Sequence, residues 1–378
     1  MARVHLRAPA PVSRRAMRTL HLGAWPNPSL KRSANGRPPG PVWRYAVHFS
    51  PARAWRPTVV ARLARTLGHR TPIRGRAAYM NPDKQSCKTA LNEQSKRFFE
   101  KCSDLELLER AIRDTARKQL QVTAENQTRW KEVGGSMESG ASHHNMTYRS
   151  LTDGNHVFYD SRSRTYEQIS QDIHFHQNKQ FQWVLAETYE LFEDFIEICY
   201  AYAQHLNPPV WKTAEVDRLT PASDGSYSLD EMLRLATDPR MTGDTFAKLH
   251  RFRAKYPQLR AAESRSPLHE KPSFVLALIE LLRHVIVHNG GKVGDRKAFT
   301  QRVLSKAGLL NNGNPDSALL DDINEFLRDW QGSTVVVLLD APMRELPGGY
   351  VSRLGYLTNF LLAYASFVHT DLLGPLME

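Results

Sequence analysis

The longest helical pattern in the chain runs from residue 166 to about 206. Ile169, Ile173, Phe181, Val184, Leu185, Tyr189, Phe192, Phe195, Ile196, Cys199 and Tyr202 recur at intervals close to helical, which predicts one buried stripe of an α-helix. Asn207-Pro208-Pro209 ends it, because proline has no amide hydrogen to donate and its ring clashes with the preceding turn. A second periodic stretch covers 83–122, with Phe98, Phe99, Leu105, Leu107, Leu108, Ile112 and Leu120 set among charges. Cys102-Ser103-Asp104 reads as a break that divides it into two helices, since Ser103 or Asp104 suits an N-cap. Between the two stretches, 134–154 is rich in Gly and Ser and reads as a loop. His143 and His144 fall there as solvated side chains.

Residues 207–270 are less regular, with short helices predicted at 229–236 and 245–256. Segment 274–287 is different in kind, because only Glu280, Arg283 and His284 interrupt its apolar side chains. A helix apolar on nearly every side is a buried helix. Further helices are predicted at 296–308 and 317–330, then one short, isolated strand at 333–339. A Pro347-Gly348-Gly349 turn opens a last amphipathic helix from 350 to about 373. The predicted fold class is all-α, an antiparallel helical bundle.

Charge changes this picture at the N-terminus. The chain has a formal charge of +12, yet residues 1–79 hold sixteen Lys and Arg and no Asp or Glu, so 80–378 carry −4 (12 − 16). The same segment holds ten of the 22 prolines. One-signed charge and frequent proline leave too little apolar burial to offset chain entropy, and the segment is expected to be a disordered basic extension. NPSLKRSANGRPPGP resembles translated repetitive intergenic DNA, on which reading 1–79 is expected to be a gene-model artefact and Met80 the functional start. A basic tail that binds nucleic-acid phosphates, DNA included, and a targeting segment are the other readings. The expected organisation is then 1–79 as extension, 80–163 as an N-terminal helical region with its Gly/Ser-rich loop, and 164–378 as the main helical domain. Cys87, Cys102 and Cys199 offer neither a disulfide framework nor a zinc pattern. No apolar run reaches the roughly 20 residues that span a bilayer. A cytoplasmic protein without metal or other cofactor, and with no membrane partner, is expected.

Candidate chemistry gathers at the end of the apolar helix. Burying Arg283 costs several kcal/mol or more unless it is paired or opens to a ligand. Of the fifteen histidines, only His288 has an arginine five residues before it. Residues five apart on a regular helix diverge by about 140°, so fraying or a turn would be needed to bring His288 towards Arg283. His284 and His288, four apart, share a face, and Glu280 lies one turn below His284. Asn289-Gly290-Gly291 suits a left-handed C-cap. A competing reading pairs Arg283 with a carboxylate, Glu280 or one on a neighbouring helix, and satisfies both histidines in the core.

Elsewhere, His174 and His176 lie two apart and point to opposite sides of a helix, which argues against a shared metal. Lys248, His250, Arg251, Arg253 and Lys255 form a basic cluster. It reads as a solvated face or, failing that, a contact for nucleic-acid phosphates.

Arg283, polar His284, Val285-Ile286-Val287 and His288 together resemble the motif of the HEPN superfamily (higher eukaryotes and prokaryotes nucleotide-binding domains), especially its ribonuclease branch. Asn289-Gly290-Gly291 is similar to members of that group. The resemblance is specific over about 20 residues and general over 166–378. It implies a HEPN-like bundle at 164–378 and a metal-independent endoribonuclease, often a toxin or antiviral defence effector, acting as a homodimer with a composite site. An antitoxin protein is the implied regulator. Arg283 and His288 would be catalytic, and His284 and Asn289 would contact the RNA substrate. Members that keep the bundle without the activity imply an alternative: a non-catalytic module that binds a nucleotide, RNA or a protein.

Overall fold

The computed structural model describes residues 84–136, 141–221, 227–265, 271–310, 317–342 and 349–373. One unit spans Arg76–Glu378. The expected disordered extension at 1–79 lies outside the described residues.

Two long helices organise the unit. Helix α1, Lys84–Glu132, packs along α2, Tyr166–Leu206. At 1.5 Å per residue they are roughly 74 and 62 Å long. They run antiparallel, since Phe98 stacks on Phe195 while Arg113, further along α1, lies over the ring of Phe181. The break expected at Cys102–Asp104 does not occur. The Ser103 hydroxyl bonds back to the Phe99 carbonyl instead of capping a new helix, and Cys102 and Leu105 are buried on either side of it. Burial along the whole stripe outweighs the local capping signal.

Helix α2 begins at a capping box in which Thr165 and Gln168 satisfy each other's backbone amides. It ends where the sequence predicts. Beyond it, the Gln204 side chain accepts from the amides of Val210 and Trp211 and folds the chain back. The segment expected to be a loop instead holds strands β1, Ser142–Arg149, and β2, His156–Arg164, an antiparallel hairpin. His143 is therefore not a free loop side chain, because it bonds Ser163 across the hairpin and Asn145 beside it.

Four short helices follow: α3 (Thr213–Val216), α4 (Leu229–Ala236), α5 (Pro239–Thr242) and α6 (Thr245–Lys255). Helix α7 covers Pro257–Ser264 and α8 covers Pro272–Asn289. After α8 come β3 (Lys292–Val293), α9 (Arg296–Lys306), α10 (Ser317–Asn324), β4 (Leu327–Trp330) and β5 (Ser333–Val336). A small antiparallel pair, β6 (Ala341–Pro342) and β7 (Tyr350–Val351), precedes α11, Arg353–Phe367, which continues as a π-helical turn to Leu373.

The helix expected over 317–330 thus covers only its first half, and the strand expected to be isolated is the middle of a sheet ordered β3-β5-β4. Asn178 of α2 pins that sheet through Val336 and Leu338, and Gln182 bonds the Val336 carbonyl as well. The fold is mostly helical with short strands, so the all-α expectation holds only in that coarse sense. Core residues from α1, α2, α4, α6, α8, α9 and α11 form a single cluster around α2.

Three cations of the basic cluster on α6 turn inward instead of forming a solvated face, while His250 is exposed. Lys248 is fully buried against Glu197 at 2.7 Å. Arg251 pairs with Glu215 and bonds the Tyr200 hydroxyl, and Arg253 is held by Glu263 and Tyr364.

Candidate functional site

Helix α8 carries the four residues of the candidate site, Arg283, His284, His288 and Asn289. Pro272 occupies its first turn, where a missing amide costs nothing. Phe274 to Ile279, Leu281, Leu282, Val285 and Ile286 are buried. Gly290 closes the helix in the left-handed conformation, φ 58° and ψ 31°, as expected. Gly291 follows at φ 79°, and a Cβ there would come within 2.5 Å of the Gln182 side chain. The Lys179 ammonium of α2 donates to the Gly290 carbonyl, a cation placed where the helix dipole favours one.

The contacts run in opposite order along the two helices. Lys179 meets Gly290, while Glu190 meets Arg283. Helices α2 and α8 are therefore antiparallel. Arg283 Nη2 lies 2.9 Å from Glu190 Oε1, with about a quarter of the arginine side chain and half of the glutamate side chain exposed. Arg283 Nε is buried without a partner. Glu280, the other carboxylate considered for Arg283, instead meets Lys306 of α9 at 2.5 Å. Asp244 completes that contact at 3.0 Å. Burial opposes charge on Lys306, but Glu280 and Asp244 outweigh it and hold its ammonium above the usual range.

His284, His288 and Asn289 are exposed. The two imidazole rings lie with centroids 4.6 Å apart and planes at 53°. His284 titrates below the ordinary histidine value, because partial burial and then the charges of His288, Arg302, Arg283 and Lys306 disfavour its protonation. A neutral imidazole beside a second histidine can accept a proton while its neighbour donates one.

The structure brings together His284 and His288, not Arg283 and His288. The helix stays regular through Asn289, so no fraying rotates His288 towards the arginine, and the two residues keep the divergence of a regular helix. The competing reading is half met. Arg283 has a carboxylate partner on a neighbouring helix, whereas the histidines are not satisfied in the core.

Sequence reasoning missed Glu190, Arg302 and Lys179. A signal existed for Glu190 alone, an acid set between the apolar Tyr189 and Leu191 of α2. Arg302 and Lys179 join the site only through packing. Among the described residues, no group of three or more His, Cys, Asp or Glu is arranged to hold a metal ion. None of their helices is long and apolar enough to cross a membrane. Comparison with protein-family models, curated proteins and solved structures finds no match to this chain.

Proposed function

We propose that the chain is a metal-independent endoribonuclease of HEPN type, with the exposed end of α8 as its reaction surface. The observation that carries this reading is the solvent-facing His284–His288 pair, 4.6 Å between rings, set among cationic Arg283, Arg302 and Lys306. RNA supplies its own nucleophile, so the protein need only move protons and hold charge. Neutral His284 takes the proton of the 2′-hydroxyl as its oxygen bonds to phosphorus. His288 gives a proton to the departing 5′-oxygen, which leaves a 2′,3′-cyclic phosphate and a 5′-hydroxyl. Arg302 faces the phosphate charge, as a guanidinium group does well. Asn289 contacts the substrate beside His288.

Because Arg283 points towards α2, a second protomer that offers its own α8 would complete the arginine–histidine set across a two-fold axis. A homodimer, an antitoxin protein that covers this surface and a role as toxin or antiviral defence effector belong to the same reading. The test is incubation of the full chain and of His288→Ala with RNA in excess EDTA. Cleavage is expected from the first and a loss of at least roughly 100-fold from the second. Equal cleavage by both sinks the site.

One observation favours a second reading. The Glu190 carboxylate already engages Arg283, which suits a non-catalytic module that binds a nucleotide, RNA or a protein partner through the same surface. RNA binding without turnover by the full chain would select it.

A further inference from the structure

A pocket of about 120 Å³ opens where α2, β4, β5 and the start of α11 meet. It is far smaller than the roughly 300–1,000 Å³ that accommodates a drug-sized ligand. It suits a single planar ring. Its chemistry comes from His174, Phe175, Arg328, Trp330, Asp340 and Arg353, and aliphatic side chains of β5 and the segment after it form the remaining wall.

Two polar atoms of this lining lack partners. Arg353 is only 6% exposed, and its two terminal nitrogens are spent on the Leu339 carbonyl and on Glu325. Its Nε is buried and unpaired. Asp340 uses one carboxylate oxygen to accept from Arg113 at 2.8 Å, while Oδ1 is buried and unpaired. Asn178 also borders the pocket, but both ends of its amide are committed to the sheet. An orphan donor and an orphan acceptor are therefore carried by two residues that border one small pocket, each atom sealed just behind its wall. Buried polar groups in folded proteins are otherwise almost always paired.

The aromatic side of the pocket is equally specific. Phe175 and Trp330 stack with centroids 6.0 Å apart and planes at 27°, which leaves no room for a ring between them. Half-buried Trp330 borders the pocket and supplies the aromatic wall against which a ring can lie. Arg328 and His174 are exposed at the rim. The Lys179 ammonium sits 5.5 Å over the Phe175 ring while it bonds the α8 terminus, so this cation lies between the pocket and the histidine pair's helix.

We propose that this pocket holds one unpaired nucleobase of an RNA strand. The base stacks on Trp330. A small shift of the wall brings its donor–acceptor edge to Asp340 Oδ1 and Arg353 Nε, and Arg328 meets the adjoining phosphate. Unstacked RNA bases are recognised in this way, by aromatic stacking combined with hydrogen bonds to their edges. The cationic rim favours an anionic aromatic ligand over a zwitterionic amino acid, which would suit the Asp–Arg pair alone. The choice of RNA rests on the nuclease reading, but the pocket is tested without cleavage.

The experiment is titration calorimetry of the full chain with each of the four ribonucleoside 5′-monophosphates. At least one is expected to bind saturably, with Trp330→Ala and Arg328→Ala each weakening it by roughly tenfold or more. Arg328 is exposed, so its replacement leaves the fold intact even if the tryptophan variant is compromised. The proposal is overturned if no nucleotide binds saturably at millimolar concentration, or if Arg328→Ala binds as tightly as the parent chain. RNA cleavage without nucleotide binding would leave the nuclease reading standing and remove the pocket. Nucleotide binding that both variants weaken, without RNA cleavage, would do the reverse.

Discussion

On one flank of α2, Lys248, Arg251 and Arg253 of α6 are withdrawn from water and each is matched to a carboxylate. On another, His284, His288 and Arg302 stand exposed and cationic groups crowd one another. Both sets sit on helices that pack against the same core. A basic run therefore has no fixed meaning. Where α6 turns its cations inward, their stems and charges become part of the core, and desolvation makes each partner obligatory. Where α8 ends, His284 and His288 face solvent beside Arg302 of α9, and folding does not bury them.

The strongest test of this contrast is Lys248→Met, which abandons Glu197 in the core. A loss of about 3–5 kcal/mol is expected by urea unfolding. Adding Glu197→Leu should recover most of it, because an apolar pair of similar volume replaces the buried ions.

Next in size is Gly291→Ala. Its positive φ and the approach to Gln182 predict a loss of about 1–3 kcal/mol in the same measurement. Gly290→Asn has open space and a conformation asparagine tolerates, so it should cost less than about 1 kcal/mol.

Arg283→Ala should cost under about 1 kcal/mol, because Glu190 keeps access to water when its partner is removed. A loss comparable to that of Lys248→Met would show that the α8 surface is structural after all.

The smallest effect concerns protonation. The folded value of His284 lies below 6.5, so in the window between the two the unfolded chain binds more protons. Its contribution therefore falls as the pH drops from about 6.5 towards the folded value. An NMR titration should place His284 below 6.5, and His288→Ala or Arg302→Ala should move it upward. No movement in either variant would refute the cationic crowding.

Much of the helical framework was legible in the chain. The stripe from Ile169 to Tyr202 and its stop at Asn207-Pro208-Pro209 appear as read, as do the short helices α4 and α6 and the left-handed cap at Gly290. The errors share a cause. Ser103 looks like a cap, and the residues around His143 look like a loop. Residues 327–330 look helical. Each belongs instead to an element stabilised by packing or pairing outside its own short stretch: α1 along α2, β1 with β2, and β4 with β5. Local propensity is a weak prior when tertiary partners compete with it.

The candidate site divides in the same way. That α8 is buried, that it ends at Gly290, and that His284 and His288 share a face all follow from the chain alone, because a 3.6-residue period and a glycine cap are local properties. It took the folded arrangement to assign Arg283 to Glu190, to crowd the histidines with Arg302 and Lys306, and to leave Arg353 and Asp340 each one partner short in the pocket beside Trp330. Those outcomes depend on which helix face meets which. Packing of the whole core fixes that choice, and no short stretch of sequence contains it.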